Sequence, residues 1–106
     1  MKVEFLTPAQ REFEQIVRYY DEQREGLGNQ FITEFRRTVR RIENFPTAWF
    51  PLSSDVRRCQ VHRFPYSVIY TVRNEGILIA AIQHHKRQPD HWRNRLVQLW
   101  SFSAAG

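Results

Sequence analysis

The stretch HHKRQPDHWR, residues 84–93, gathers side chains that can do chemistry. Histidine titrates near neutrality and can take or give a proton. Arginine presents a planar fork that grips two oxygens of a phosphate or carboxylate. In an extended chain His85 and Arg87 share parity and face one side, with His84 and Lys86 on the other. His85 is thus a candidate acid or base; a histidine filling a partly polar sheet end is the plainer alternative. Trp92 and Arg93 can stack on a base and hold a phosphate. Trp92 closing the core over the strand ends is the equal alternative. Lys86, and Arg57 and Arg58 upstream, are further candidate groups for holding an anionic partner.

The charge distribution supports that reading. The chain has 106 residues and a net charge of +5. Residues 57–95 hold eight Arg or Lys and two acids, a net of +6; the remainder holds eight bases and nine acids, a net of −1. So local an excess suits a polyanion or an acidic protein partner. The length implies one domain over residues 1–106. No apolar run approaches the roughly 18 residues of a membrane span, and MKVEFLTPAQ has none suited to a secretory signal. Cys59 is the single cysteine, which precludes an intramolecular disulfide. His62, His84, His85 and His91 do not fall at zinc-finger spacing. A cytoplasmic chain without metal or cofactor is expected.

Residues 2–6 alternate, with Val3 and Phe5 on one side, and predict a strand. Thr7 is placed to cap a helix, with Pro8 at its first position and Gln10 completing a capping box. Phe13, Ile16, Val17 and Tyr20 form its apolar stripe. Gly26 and Gly28 mark a break. A second helix, about Leu27 to Asn44, carries Leu27, Phe31, Phe35, Val39 and Ile42, and Pro46 ends it. Arg36, Arg37, Arg40 and Arg41 read as a basic ridge on it, either a solvated face or a seat for an acidic segment. Phe45 to Asp55 is predicted as a loop whose Trp49 and Phe50 lie back on the core. Strands follow at 57–63, 66–73 and 77–83, the last buried on both faces. Gly76 of the Asn74-Glu75-Gly76 turn is expected at positive φ. Asp90 can cap a short helix through Leu96. Cys59 alternates inward as a small hydrophobe; Tyr66 and Tyr70 share parity and read as core. The uncharged tail, with Leu99, Trp100 and Phe102, suits a sheet edge, a dimer contact or a partner. The class is α+β, in the order β-α-α-β-β-β, with a helical hairpin packed on an antiparallel-rich sheet.

That order, with "RRCQVHRFPYSVIYTVRNEGILIAAIQHHKR" and the tail "KRQPDHWRNRL", resembles the RelE/ParE superfamily, the toxins of bacterial type II toxin–antitoxin pairs, and within it the plasmid-stabilisation subgroup. Arg63, Tyr66, Val68 and Tyr70 match its Arg-x(2–3)-Tyr-x-(Val/Ile)-x-Tyr strand, and His84-His85-Lys86-Arg87 its basic strand end. The resemblance implies a cationic concave face and a cognate antitoxin as partner, with DNA reached only through the antitoxin. Two targets follow from it. RelE-like members cut mRNA on the ribosome; ParE-like members inhibit DNA gyrase. RNA cleavage by 2′-OH attack needs a base, cations on the phosphorane and an acid. Arg63, His85 and Arg87 are the catalytic candidates for it, with Arg87 the leading one and a strand-edge salt bridge the alternative for Arg63. Ser67 stands where RelE-type nucleases commonly have arginine. Cys59, Gln60, Val61 and His62 stand where they tend to carry lysines. These departures tilt the expectation to a ParE-like gyrase inhibitor, with the ribonuclease and an inactivated family member as alternatives.

Overall fold

The computed structural model describes residues 1–87 and 90–97. Its elements are β1 (Val3–Phe5), α1 (Thr7–Gln23), α2 (Leu27–Asn44), β2 (Phe50–Pro51), β3 (Val56–Gln60), β4 (Tyr66–Arg73) and β5 (Gly76–His84). A short helical turn follows over 93–97. The sheet order is β1-β5-β4-β3-β2, with β1 parallel to β5 and the other pairs antiparallel. The expected α+β arrangement holds, with β2 as an added edge strand.

The sheet has a core on each face. On one, Val68, Tyr70, Ile77, Ile79 and Ile82 pack with Ile16, Phe31 and Phe35 of the helical hairpin. On the other, Ile69, Ala80 and Ala81 pack with Trp92 and Leu96. This is why β5 reads as continuous apolar sequence: a strand covered on both sides has no solvent face to mark with polar residues. A bulge occurs where Ile69 pairs with Ala81 but Tyr70 pairs with Ile79. The extra residue is Ala80, and the bulge shifts the strand's alternation for every residue after it.

Several local expectations need correction. Thr7 is not the cap of α1: Leu6 is, in extended conformation and without a side-chain cap bond. Sheet pairing reaches up to Leu6, whose N–H bonds Ile79 O, and the helix begins at once. Gln10 turns along the helix toward Glu14 instead of back to the cap. Gly76 does not carry the positive φ of the hairpin; Asn74 (φ 49°) and Glu75 (φ 62°) do, as a type I′ turn requires. Gly76 is needed for close approach instead, since a Cβ there would lie 2.8 Å from Lys2 O. The strand expected to run through residue 63 ends at Gln60, and Arg63 sits in the following turn at φ 70°. Trp49 does pack on the core, but Phe50 does not; it is 59% exposed on β2. Asp90 offers its backbone carbonyl to Arg93 N–H and a carboxylate 3.8 Å from the Arg93 guanidinium, not a side-chain cap. Leu99, Trp100 and Phe102 lie outside the described residues.

The helical hairpin turns at Gly26, in left-handed conformation at φ 83°. Gly26 has no side chain to cap α2. Asp21 on α1, seven residues before Gly28, supplies the missing acceptor: its Oδ1 accepts from the Gly28 N–H at 3.0 Å. A carboxylate at a helix N-terminus satisfies an orphan donor and meets the positive end of the helix dipole. Asp21→Ala should cost about 1–2 kcal/mol, the range of a lost N-cap, lowering the thermal midpoint by roughly 4–12 °C in a domain this size. Thermal denaturation followed by circular dichroism measures it, and an unchanged midpoint would contradict the capping role.

Candidate functional site

The basic C-terminal part divides around the end of β5. Tyr66 pairs with His84 and Ser67 with Gln83, so these pairs alternate between the two faces of the sheet. His84 faces the helices, its ring edge-on to Tyr66 with centroids 5.0 Å apart. His85 is the first residue beyond β5 and lies toward the other face, its Nε2 3.3 Å from Ser67 Oγ. The chain then turns, with Lys86 N–H bonding His84 Nδ1 and Arg87 N–H bonding His84 O. The turn carries the exposed Arg87 back toward the helices, where Nη1 lies 3.6 Å from Glu12 Oε2. The strand parity that would have put His85 and Arg87 together is broken by that turn.

The residues proposed as a catalytic set are therefore held in separate places. Arg63 reaches α2, where Nη2 donates to Gln30 Oε1 at 3.2 Å. His85 lies with Ser67, and Arg87 with α1. The binding candidates are sorted too. Arg57 Nη1 donates to Trp49 O at 2.8 Å and secures the loop before β2. Arg58 lies over the Phe50 ring, 4.5 Å from its centroid. Lys86 is exposed. Trp92 is 2% exposed and belongs to the second core, so its ring is closed to a base; Arg93 stacks on it from outside at 4.9 Å. Arg41 does not belong to the exposed ridge of Arg36, Arg37 and Arg40. Its guanidinium bonds Thr38 Oγ1 and Gln60 O, tying α2 to β3.

The phenols and the thiol are poor bases here. Burial, with Tyr19 adding to it and Arg87 opposing it, pushes the Tyr66 phenol above its ordinary value. Burial likewise pushes Tyr70 up to about 12, and its hydroxyl donates to Pro46 O at 2.5 Å. Burial also raises the Cys59 thiol, against the pull of Arg41. Each stays protonated at neutral pH, so Tyr66 can donate a hydrogen bond but not accept a proton. It lines a groove of about 400 Å³ between α1 and the end of β5, with Tyr19, Ile82, His84, Lys86 and Arg87 among its walls.

The family described as "ParE toxin of type II toxin-antitoxin system, parDE" matches residues 3–89. The chain belongs to the ParE toxin family. Among solved structures it resembles the "Chromosomal ParDE TA system from P. aeruginosa", with 16% identity and a TM-score of 0.68 over 79% of this chain and 95% of that one. No curated protein matches it. The ParE fold thus extends over the strands and helices that carry the groove, and the toxin identity expected from the β-hairpin and its basic end stands.

What organises this ParE chain went unread in its sequence: Glu12. Its carboxylate accepts two bonds from Arg95, at 2.9 and 3.0 Å, and one from Ile82 N–H at 3.2 Å. His91 Nε2 lies 3.3 Å away and Arg87 3.6 Å. A signal for it was present. Ala9, Glu12, Phe13 and Ile16 follow i, i+3, i+4, i+7 spacing, so an acid occupies the apolar stripe, where it needs a partner.

Burial disfavours the charged Glu12, but the Arg95 hydrogen bonds, the Ile82 N–H, and the charges of Arg95 and His91 outweigh it and hold the carboxyl below its ordinary value of 4.5. A depressed carboxylate contributes stability that is fully present above the unfolded value and is lost as pH falls through the folded one. Glu12→Gln should cost about 3 kcal/mol at pH 7, because it strands a half-buried arginine. Its stability should also fall less steeply than the wild type's below about pH 4.5. Urea denaturation across pH measures both; parallel curves for the two proteins would rule out Glu12 as the acid-sensitive group.

Proposed function

We propose that this ParE toxin arrests growth by binding DNA gyrase, and that a cognate antitoxin neutralises it. The observation that carries this reading is the dispersal of Arg63, His85 and Arg87 to α2, to Ser67 on the sheet face away from the helices, and to α1. General acid–base cleavage needs its groups within hydrogen-bond reach of one phosphate. An inhibitor that acts by binding needs only a surface. The α1–β5 groove supplies one, with aromatic walls from Tyr19 and Tyr66 and a cationic rim from Lys86 and Arg87. Aromatic and arginine residues dominate binding hot spots. The antitoxin partner is supported by the family and by the ParDE system that the fold resembles. An acidic, amphipathic segment that folds on binding suits the basic surface. A cytoplasmic site of action goes with a gyrase target.

Purified toxin should inhibit gyrase supercoiling while primer extension finds translated mRNA intact; codon-phased cuts would overturn the reading in favour of the ribonuclease. Arg87→Ala should weaken gyrase inhibition by about 2 kcal/mol, roughly thirtyfold, the size of a hot-spot arginine. Its fold should survive, because Arg87 is 63% exposed and Glu12 keeps Arg95. Arg87→Lys should recover little, since the fork is lost. Arg40→Ala, on the exposed face of α2, is the control and should inhibit normally. If Arg87→Ala inhibits as well as the wild type at an equal thermal midpoint, the groove rim is not the contact.

A further inference from the structure

Among the described residues, Glu12 lacks one of the hydrogen bonds it can accept. A carboxylate has room for about four, two at each oxygen. Oε1 accepts from Arg95 Nη1 at 2.9 Å and from Ile82 N–H at 3.2 Å. Oε2 accepts from Arg95 Nη2 at 3.0 Å, which leaves it one lone pair. Two side chains that can carry positive charge stand at that lone pair. Arg87 Nη1 is 3.6 Å from Oε2, close enough for an ion pair and too far for a hydrogen bond. His91 Nε2 is 3.3 Å from the same atom.

The imidazole is the second observation. The His91 side chain is 20% exposed, and both ring nitrogens are buried without a hydrogen bond among the described residues. Leaving such groups unpaired is costly, and a native structure that does so needs a reason. Nε2 is within hydrogen-bond distance of Oε2, yet the ring is not turned to bond it. A neutral imidazole has one N–H, on either nitrogen. The protonated ring has both, so Nε2 then carries a charged donor beside a waiting acceptor.

The surrounding charges set the direction of the effect. Glu12 on α1 is the carboxylate that both side chains face. Arg95, on the 93–97 turn, is already bonded to it through two nitrogens. Asp90 and Arg93 face each other at 3.8 Å. Tyr19, Tyr66, His84 and Lys86 line the groove beside Arg87. Glu12 is held below its ordinary value of 4.5, so it stays an anion across the range where imidazoles titrate.

We propose that His91 positions Arg87: the protonated imidazole takes the last lone pair of Glu12 and releases the guanidinium to the groove rim, whereas the neutral imidazole leaves Glu12 to Arg87. The exchange stands on the geometry around Glu12; its consequence for toxicity rests on the gyrase reading of the groove. A released arginine has no ion pair to break before it grips a partner, so target binding should strengthen as pH falls.

The test follows the His91 imidazole and the Arg87 Nε–H of the full chain by NMR, from about pH 8 to about pH 5, the span over which imidazoles titrate. The Arg87 order parameter should fall as His91 gains its proton, with one midpoint for both signals. His91→Phe keeps a ring without a titrating proton, and His91→Gln keeps a polar group that does not titrate. In either variant the Arg87 signal should be independent of pH. His84 and His85 remain in both, so the difference belongs to His91; equal thermal midpoints confirm that the variants fold. Distinct midpoints for His91 and Arg87 in the wild type, or an Arg87 response that persists in the variants, would overturn the proposal. Gyrase binding by the wild type should strengthen by up to about fivefold over the same span, the whole worth of an exposed ion pair, and stay flat in His91→Phe. Tight gyrase binding that does not change as Arg87 is released would overturn the positioning role. Absence of gyrase binding at every pH would overturn the proposed target instead, while the NMR midpoints still decide the exchange.

Discussion

One carboxylate holds the two sides of this protein together. β1 is only three residues long and pairs with β5 from Ile77 to Ile79. Past that point no strand pairs with this edge of β5 among the described residues. Leu6 N–H donates to Ile79 O, and then side chains continue the ladder: Arg95 donates to Ala80 O and Glu12 accepts from Ile82 N–H. The Glu12–Arg95 pair thus stands in for a missing strand. Buried backbone groups left unpaired there would each cost about 1–3 kcal/mol. The same pair clamps the 93–97 turn against α1, which seats Trp92 and Leu96 over the second core. A strong charge-assisted, two-bond contact is suited to this, since it fixes geometry as well as proximity.

The fate of the basic strand end follows from that clamp and from one inserted residue. The bulge at Ala80 shifts alternation along β5, so Ile82 and His84 face the helices while Gln83 faces the other way. Without the shift, Ile82 would be turned from the hairpin core and His84 from Tyr66. The small side chains at Ala80 and Ala81 let the bulge sit buried beneath Trp92 and Leu96. The turn after His84 then divides the cations, leaving His85 with Ser67 and bringing Arg87 round to Glu12.

The periodic features were legible in the sequence. The helical stripes, the burial of β5 on both faces, and the inward Cys59 and Tyr70 all follow from repeats that packing enforces over many residues. What escaped depends on single tertiary contacts. A bulge cannot be read from ILIAAIQ, because every residue there is apolar and the alternation that would reveal a slip is absent. Phe50 reads as core by type, yet pairing with β3 turns it outward. Arg41 looks like its neighbours on the ridge, and only the position of Gln60 O makes it structural. Of the candidate site, residue identities were visible but not their grouping, which depends on where the strand stops.

Charge alone would have assigned one continuous anion-binding surface to residues 57–95. The structure divides it by the partner each cation already has. Arg57, Arg63 and Arg95 hold the fold to itself through carbonyl or carboxylate oxygens. An arginine committed in this way must break a bond before gripping a ligand, so it contributes to the field more than to contact. Arg58, Lys86 and the loosely paired Arg87 keep accessible charge. They border two concavities, one bounded by aromatic rings and Glu12 beside α1, the other on the sheet face away from the helices and lined by no carboxylate among the described residues. A single cationic patch therefore becomes two concavities of different character, one with an acid and apolar walls beside its cations, the other bordered by the accessible charge of Arg58.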